Sequence, residues 1–202
     1  MESSILTDEL RVILVRERQF SKAKVEISNF HLTPEGKKSV NAIIDKMKPT
    51  DSTNIWDGID KGINEAIKSK NFQGNTSLMV FTDGEPNVNP PMGIIQTLKN
   101  KLSQISVFFS ISTFSFGYKI DADLLEEICE IGNGIYGYCP DASMVGTIFI
   151  NYLANLISTI SPLAKLSISF NEKEKSHFNV VLYNGASTNV MVSIDKKQLK
   201  NC

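Results

Sequence analysis

Two features of the sequence predict an α/β fold, with a doubly wound, mostly parallel sheet and a short β-rich C-terminal extension. Apolar, β-favouring segments alternate with amphipathic helical segments through residue 161, a pattern typical of parallel sheets covered by helices. After Pro162 no helical pattern returns, and β-branched segments follow. We therefore predict an α/β domain over 1–161 and the start of a β-rich module over 162–202.

Composition and charge favour a folded domain and argue against nucleic-acid binding. The chain has 202 residues, of which 42% are hydrophobic and 21% are charged, which suits a packed core with a polar surface. A formal net charge of −1 provides no long-range attraction for nucleic acid. The three cysteines form no metal-binding pattern, and no secretory leader pattern is visible at the N-terminus. We expect an intracellular, cytoplasmic protein with reduced thiols.

The uncharged stretch over 142–164 raises the question of a membrane span, since it is long enough for one. Its apolar residues recur at helical spacing, however, and polar residues fall largely between them. This pattern predicts a helix that faces the protein core, and no membrane span. The apolar positions are Val145, Ile148, Phe149, Tyr152, Leu153, Leu156 and Ile160.

The first half of the α/β domain is predicted to contain two strands and two helices. Two β-branched segments are joined by a charged connection, RERQF. Thr33 and Pro34 are suited to the start of a helix, and Pro49 ends it. Isoleucines at helical spacing characterise the next segment, WDGIDKGINEAIKS. The predicted strands cover 10–15 and 23–28, and the predicted helices cover 33–48 and 56–69.

The second half of the chain is predicted to alternate strand and helix up to Pro162 and to contain only strands after it. SLMVFTD is a continuously apolar segment of the kind found inside parallel sheets. Asp121 and Gly132 are suited to begin and end one helix. Beyond Pro162, the segments AKLSISF, HFNVVLY and NVMVSI have a β pattern, and YNGA is a candidate hairpin turn. The predicted strands cover 77–83, 105–117 and 134–139, and the predicted helices cover 91–102, 121–132 and a stretch from 142.

The segment GNGIYG, over 132–137, matches the glycine pattern of dinucleotide-binding loops. Such a loop requires a strand before it and a helix after it, so that the helix N-terminus receives the pyrophosphate. In this chain a predicted helix precedes the glycines and a predicted strand follows them. We therefore interpret the segment as a helix end and a tight turn.

A candidate cation site is suggested by TDSTN, over 50–54, and by the TDG that ends SLMVFTDG. Thr53 precedes a helix and Asp83 ends a strand, so both belong at the carboxyl edge of a parallel sheet. Hydroxyl and carboxylate oxygens suit Mg²⁺ or Mn²⁺. The alternative is purely structural: Thr53 caps the helix and Asp83 accepts hydrogen bonds from turn amides.

The ordered segments KPTDSTNIWDGIDKGI and SLMVFTDGEPN resemble the middle of a von Willebrand factor A domain. The later run FSFGYKIDADLLEEICEIGNGIYGYCPDASMV is similar, more narrowly, to the intracellular A domains that accompany U-box, RING or Hint modules. The resemblance covers about residues 8 to 160. It implies a Rossmann-like sheet and a metal-ion-dependent adhesion site to which Thr53 and Asp83 contribute.

The chain also departs from that family pattern. LRVILV matches the family's second strand, so the first strand, the DxSxS motif that leads the metal site and the first helix are absent. The resemblance then leaves Thr53 and Asp83 as metal ligands, with Ser52 and Asp51 as neighbours, and Asp51 stands where glycine is common. Mg²⁺ or Mn²⁺ binding is expected to be weak or absent. DASMV, over 141–145, is explained by helix capping.

These observations lead to a non-catalytic protein–protein interaction module with a degenerate metal site as the predicted function. The expected partner is another protein, which contacts the carboxyl edge through Glu85 and Asn87. A sheet without its central strand would also borrow a strand from itself, a second copy or a partner. The alternatives are a non-autonomous fragment of a larger A-domain protein, linked to ubiquitin transfer, and a metal-assisted hydrolase that uses Asp83. The hydrolase ranks last because no general base or nucleophile pair is visible.

Overall fold

The structure, a computed structural model, describes residues 11–18, 21–31, 33–47, 53–68, 76–106, 109–170 and 174–184. The chain divides into two compact units, Met1–Val145 and Gly146–Cys202, which are treated separately below. The sequence-based division at residue 161 stays a prediction. Residues 189–194, predicted to be β, lie outside the described part of the chain.

The first unit begins with an antiparallel pair of strands followed by two helices. Thr33 caps the first helix by accepting a hydrogen bond from the N–H of Gly36 at 3.1 Å, and Pro34 occupies the first turn, as predicted. The elements are β1 (Arg11–Arg18), β2 (Ser21–His31), α1 (Pro34–Ile44) and α2 (Ile55–Lys68).

A three-stranded parallel sheet in the order β3-β4-β5 forms the rest of this unit, with a helix between successive strands. Parallel strands require such crossovers, and the alternation of apolar strand and amphipathic helix in the sequence supplied them. The α/β fold class is therefore confirmed. The elements are β3 (Ser77–Thr82), α3 (Ile94–Ser103), β4 (Ser110–Phe116), α4 (Ala122–Ile131) and β5 (Asn133–Cys139).

The core of this unit lies between the parallel sheet and helices α2, α3 and α4. Its central aliphatic side chains are completely buried: Ile63, Leu98, Ile111 and Ile128 are each 0% exposed. On the opposite sheet face, the ring of Phe81 stacks on Phe114 with centroids 5.2 Å apart. Phe81 is nevertheless 47% exposed, so this face of β3 is only partly covered.

Helix α2 contacts both the antiparallel pair and the parallel sheet. On the β2 side, Asp57 accepts a hydrogen bond from the N–H of Ala23, and Glu65 accepts one from the Ser28 hydroxyl at 2.7 Å. Hydrogen bonds from Lys68 and Ser28 lower the pKa of the Glu65 carboxyl, so the buried side chain is held as a carboxylate. On the β3 side, Gly62 packs against the Leu78 side chain.

The second unit contains a helix that continues from the first unit and an antiparallel hairpin, β6-β7. No helix in the described ranges is long and apolar enough to cross a membrane. The unit's elements are α5 (Ala142–Ser158), β6 (Thr159–Phe170) and β7 (Glu174–Tyr183).

Three element boundaries differ from the predictions. Helix α3 begins at Ile94 rather than at residue 91, because Gly93 precedes it with φ of 75°. The strand predicted from 105 begins at Ser110. Strand β6 begins before Pro162, which lies where the β6–β7 register shifts between Ser161 and Ala164, a position that tolerates a residue without an N–H.

Candidate functional site

The candidate site begins at the carboxyl end of β3, where the chain leaves the sheet. The Thr82 side chain is buried, and its hydroxyl lies 3.0 Å from the carbonyl oxygen of Gly84 and 3.4 Å from the N–H of Gly84. This local turn directs Asp83 and Glu85 outward, and both are exposed. No group of three or more His, Cys, Asp or Glu residues that could hold a metal ion occurs within the described ranges.

Two loops meet at this edge through a reciprocal pair of hydrogen bonds. The N–H of Thr53 donates to Oδ1 of Asn87 at 3.0 Å, and the N–H of Asn87 donates to the carbonyl oxygen of Thr53 at 3.0 Å. Gly84 lies against the same threonine, since a Cβ built on it would be 3.4 Å from Thr53 Oγ1. The Thr53 loop and the loop over 83–87 therefore form one continuous surface.

Helix α2 starts beside this surface, but Thr53 is not its cap. The Asn54 side chain accepts a hydrogen bond from the N–H of Asp57 at 3.0 Å, and the Asn54 carbonyl accepts from Gly58. Asn54 is therefore the N-cap, and the alternative that gave Thr53 this role is wrong. An asparagine just before an amphipathic helix was the available signal. The Thr53 hydroxyl is left facing the edge beside Gly84.

The structure brings together only some of the residues predicted for the site. Thr53, the 83–85 turn and Asn87 meet at one edge, while Ser52 and Asp51 lie outside the described residues. Metal binding by Thr53 and Asp83 stays a prediction, as does partner binding by Glu85 and Asn87. Sequence reasoning missed the tether between Thr53 and Asn87, because a contact across 34 positions leaves no local pattern.

The other two motif segments have structural roles. GNGIYG follows α4 and begins β5, so the interpretation as a helix end and turn is confirmed. Asn133 has φ of 52°, a conformation that asparagine tolerates. The Asp141 carboxylate accepts a hydrogen bond from the N–H of Ser143 at 2.7 Å at the start of α5, as the capping interpretation requires. Hydrogen bonds from Ser143 lower the pKa of Asp141.

The fold and the edge together define a class: an α/β domain whose crossover loops present an exposed polar surface at the carboxyl ends of parallel strands. Residues 8–149, more than half of the chain, match the model of the von Willebrand factor type A domain. The chain belongs to that family.

The chain is similar to a bacterial protein and to several solved structures. The chain is 25% identical over 150 residues to the uncharacterized protein YfbK of Escherichia coli (strain K12), a match that covers 73% of the chain and 26% of YfbK. It superposes on a von Willebrand factor type A structure from Catenulispora acidiphila with a TM-score of 0.64 and 11% identity, covering 82% of this chain and 38% of that one.

The chain also superposes on proximal thread matrix protein 1 from the mussel byssus, with a TM-score of 0.57 and 16% identity. The match covers 81% of this chain and 39% of that one. Another structure of that mussel protein has a zinc-occupied MIDAS motif, and its TM-score is 0.50 at 16% identity, covering 71% of this chain and 33% of that one. The chain thus spans about a quarter of YfbK and about two fifths or less of these solved structures.

Proposed function

We propose that the chain is a non-catalytic protein–protein interaction module that binds another protein through the carboxyl edge of its parallel sheet. The observation that supports this most directly is the tether between Thr53 and Asn87, which holds two exposed loops as one surface. Loops fixed on a rigid sheet are the usual place for recognition in this architecture. Glu85 and Asn87 are the proposed contact residues, with Asp83 and Thr53 beside them.

The metal site at this edge is proposed to be degenerate, with weak binding of Mg²⁺ or Mn²⁺ or none. The mussel relative's zinc-occupied motif supports metal binding in the family at large. In this chain Thr53 and Asp83 supply two hard oxygen ligands, with Ser52 and Asp51 proposed as neighbours. Mg²⁺ usually retains several waters and gains carboxylates from its partner, so any binding would depend on an acidic group of the bound protein.

Two alternative functions have less support from the structure and the sequence. The chain covers 26% of YfbK, which is compatible with a part of a longer A-domain protein that has no separate activity, and a link to ubiquitin transfer remains part of that proposal. A metal-assisted hydrolase would need a nucleophile hydrogen-bonded to a base beside Asp83, and no such pair is seen among the described residues of this edge. We propose a cytoplasmic, intracellular location, which the buried free thiols of Cys129 and Cys139 support.

The interaction is tested by photo-cross-linking. A benzophenone amino acid at Glu85 should capture a specific protein in cells, and the same amino acid at the exposed Lys38 of α1 should not. Asn87→Ala removes the acceptor for Thr53 and loosens the surface by about 1 kcal/mol, so capture should fall roughly fivefold. Equal capture from both positions, or capture unaffected by Asn87→Ala, would contradict the proposal.

Metal dependence is tested by thermal melts with and without Mg²⁺ or Mn²⁺. A metal present at tenfold its Kd stabilises the native state by about 1.4 kcal/mol, which raises Tm by roughly 3–5 °C. We expect a smaller shift or none without a partner. Any shift should vanish in Asp83→Ala and persist in the matched variant Asp45→Ala, whose carboxylate lies at the C-cap of α1. A large shift that survives Asp83→Ala would rule out this site, and turnover abolished by Asp83→Ala would favour the hydrolase.

A further inference from the structure

Two neighbouring loops of the carboxyl edge carry exposed apolar side chains. Tyr118, in the β4–α4 loop, is 87% exposed, and Met92, at the end of the β3–α3 loop, is 60% exposed. Val88 is also exposed and directly follows Asn87, which is tethered to Thr53. Because β3 and β4 are adjacent parallel strands, the loops that follow them leave the sheet side by side. We call Tyr118, Met92 and Val88 the edge anchors.

The backbone beside the edge anchors is held by hydrogen bonds. The N–H of Gly93 donates to the carbonyl oxygen of Pro90 at 2.9 Å, which forms a tight turn with Met92 at its corner. The N–H of Gly117, just before Tyr118, donates to the last carbonyl of β5 at 3.4 Å. Apolar side chains on a fixed backbone lose little conformational entropy when a partner covers them, and tyrosine is common among the residues that dominate binding.

The charge around the edge anchors is predominantly negative. In the described loops that follow β3, β4 and β5, the charged side chains are four exposed carboxylates and one exposed cation, Lys119. The carboxylates are Asp83, Glu85, Asp121 and Asp141. Such a surface repels an acidic partner and attracts a basic one.

We propose that the protein partner of this edge presents a basic segment, in which lysine or arginine side chains flank apolar ones. The apolar side chains pack on the edge anchors, and the cationic side chains pair with Asp83 and Glu85. This partner assignment rests on the proposed function and names the chemistry of the protein bound there. It differs from a metal-bridged contact, in which the partner supplies a carboxylate to Mg²⁺. Here the partner supplies the positive charge itself.

The test selects peptides from a random phage-displayed library on the full chain, in buffer with a chelator. We expect the enriched peptides to hold more lysine and arginine than aspartate and glutamate, together with a large apolar residue. Their binding should fall about tenfold when sodium chloride rises from about 0.05 M to about 0.5 M, because salt screens exposed charges. Enrichment of acidic peptides that need Mg²⁺ would overturn the proposal, as would the absence of any enriched peptide.

Two pairs of variants show whether those peptides use the edge. Tyr118→Ser should weaken their binding by about tenfold, whereas Ile44→Ser, at an exposed position of α1, should leave it unchanged. Asp83→Asn combined with Glu85→Gln should weaken binding and remove most of its salt dependence. Glu126→Gln, at an exposed position of α4, is the matched control. Full binding by Tyr118→Ser, or by the Asp83 and Glu85 double variant, would overturn the proposal.

Failure of the basic partner is distinguishable from failure of the proposed function. Cross-linking at Glu85 reports whether any protein binds this edge. A protein captured there with equal yield at high salt and in Tyr118→Ser would leave the proposed function standing and overturn the basic partner. If Glu85 captures no specific protein, both proposals are overturned.

Discussion

Replacing Gly134 with alanine is expected to destabilise the first unit by about 3 kcal/mol, since a new methyl group has no room there. A Cβ at this position would lie 1.9 Å from the carbonyl oxygen of Ile111 and 2.4 Å from its carbonyl carbon. These are backbone atoms of the central strand β4, which pairs on both sides and cannot move aside. Urea denaturation of the purified chain measures the loss.

The matched control is Gly58→Ala in helix α2. A Cβ on Gly58 would meet nothing within 4 Å, and alanine favours a helix interior over glycine by about 1 kcal/mol. This variant should therefore be slightly more stable than the parent chain. If both variants changed the free energy of unfolding by similar amounts, the close approach of β4 and β5 would not be the cause.

The role of Gly134 shows what the sequence could and could not predict in the fold. Its glycine-rich segment was interpretable as a turn, because a helix pattern precedes it and a strand pattern follows. The reason for the glycine depends on a register shift between β4 and β5. There Ile135 is held by two side chains: its N–H donates to Ser112 Oγ at 3.1 Å, and its carbonyl accepts from Cys129 Sγ at 3.0 Å. Irregular pairing of this kind has no signature in hydrophobic periodicity.

The candidate site was likewise only partly predictable from the sequence. Parallel strands place their carboxyl ends at one edge, so the sequence could predict that the loops of Thr53 and Asp83 converge. It could not predict that Asn87 would bind the neighbouring loop. Asn54, just before an amphipathic helix, carried a signal for the cap of α2, whereas the role of Asn87 depends on how the two loops approach each other.

Local sequence patterns also could not predict which strands pair, such as β1 with β2 and β3 with β4. Alternation of apolar and polar residues identifies strands, but a ladder depends on which edges meet. Among the described residues, helix α2 contacts both the antiparallel pair and the parallel sheet. The stability of the antiparallel pair should therefore depend on α2 side chains.

Ile63→Ala tests this dependence and is expected to destabilise the unit by about 2–5 kcal/mol. Ile63 is 0% exposed and belongs to the apolar cluster that α2 forms with the parallel sheet and helices α3 and α4, so truncation leaves a cavity in that core and loosens α2. Ile44→Ala is the control, because Ile44 is 47% exposed and its loss should change stability by no more than about 0.5 kcal/mol. Chemical denaturation of the three chains measures the difference.

Amide exchange in Ile63→Ala shows which strands lose stability in this variant. The parallel sheet retains packing from α3 and α4, through Leu98, Leu125 and Ile128, whereas the antiparallel pair packs mainly on α2. Amides of β2 should therefore lose more protection than those of β4, because local opening follows the weaker set of contacts. Equal loss in both strands would mean that the antiparallel pair and the parallel sheet unfold as one cooperative body.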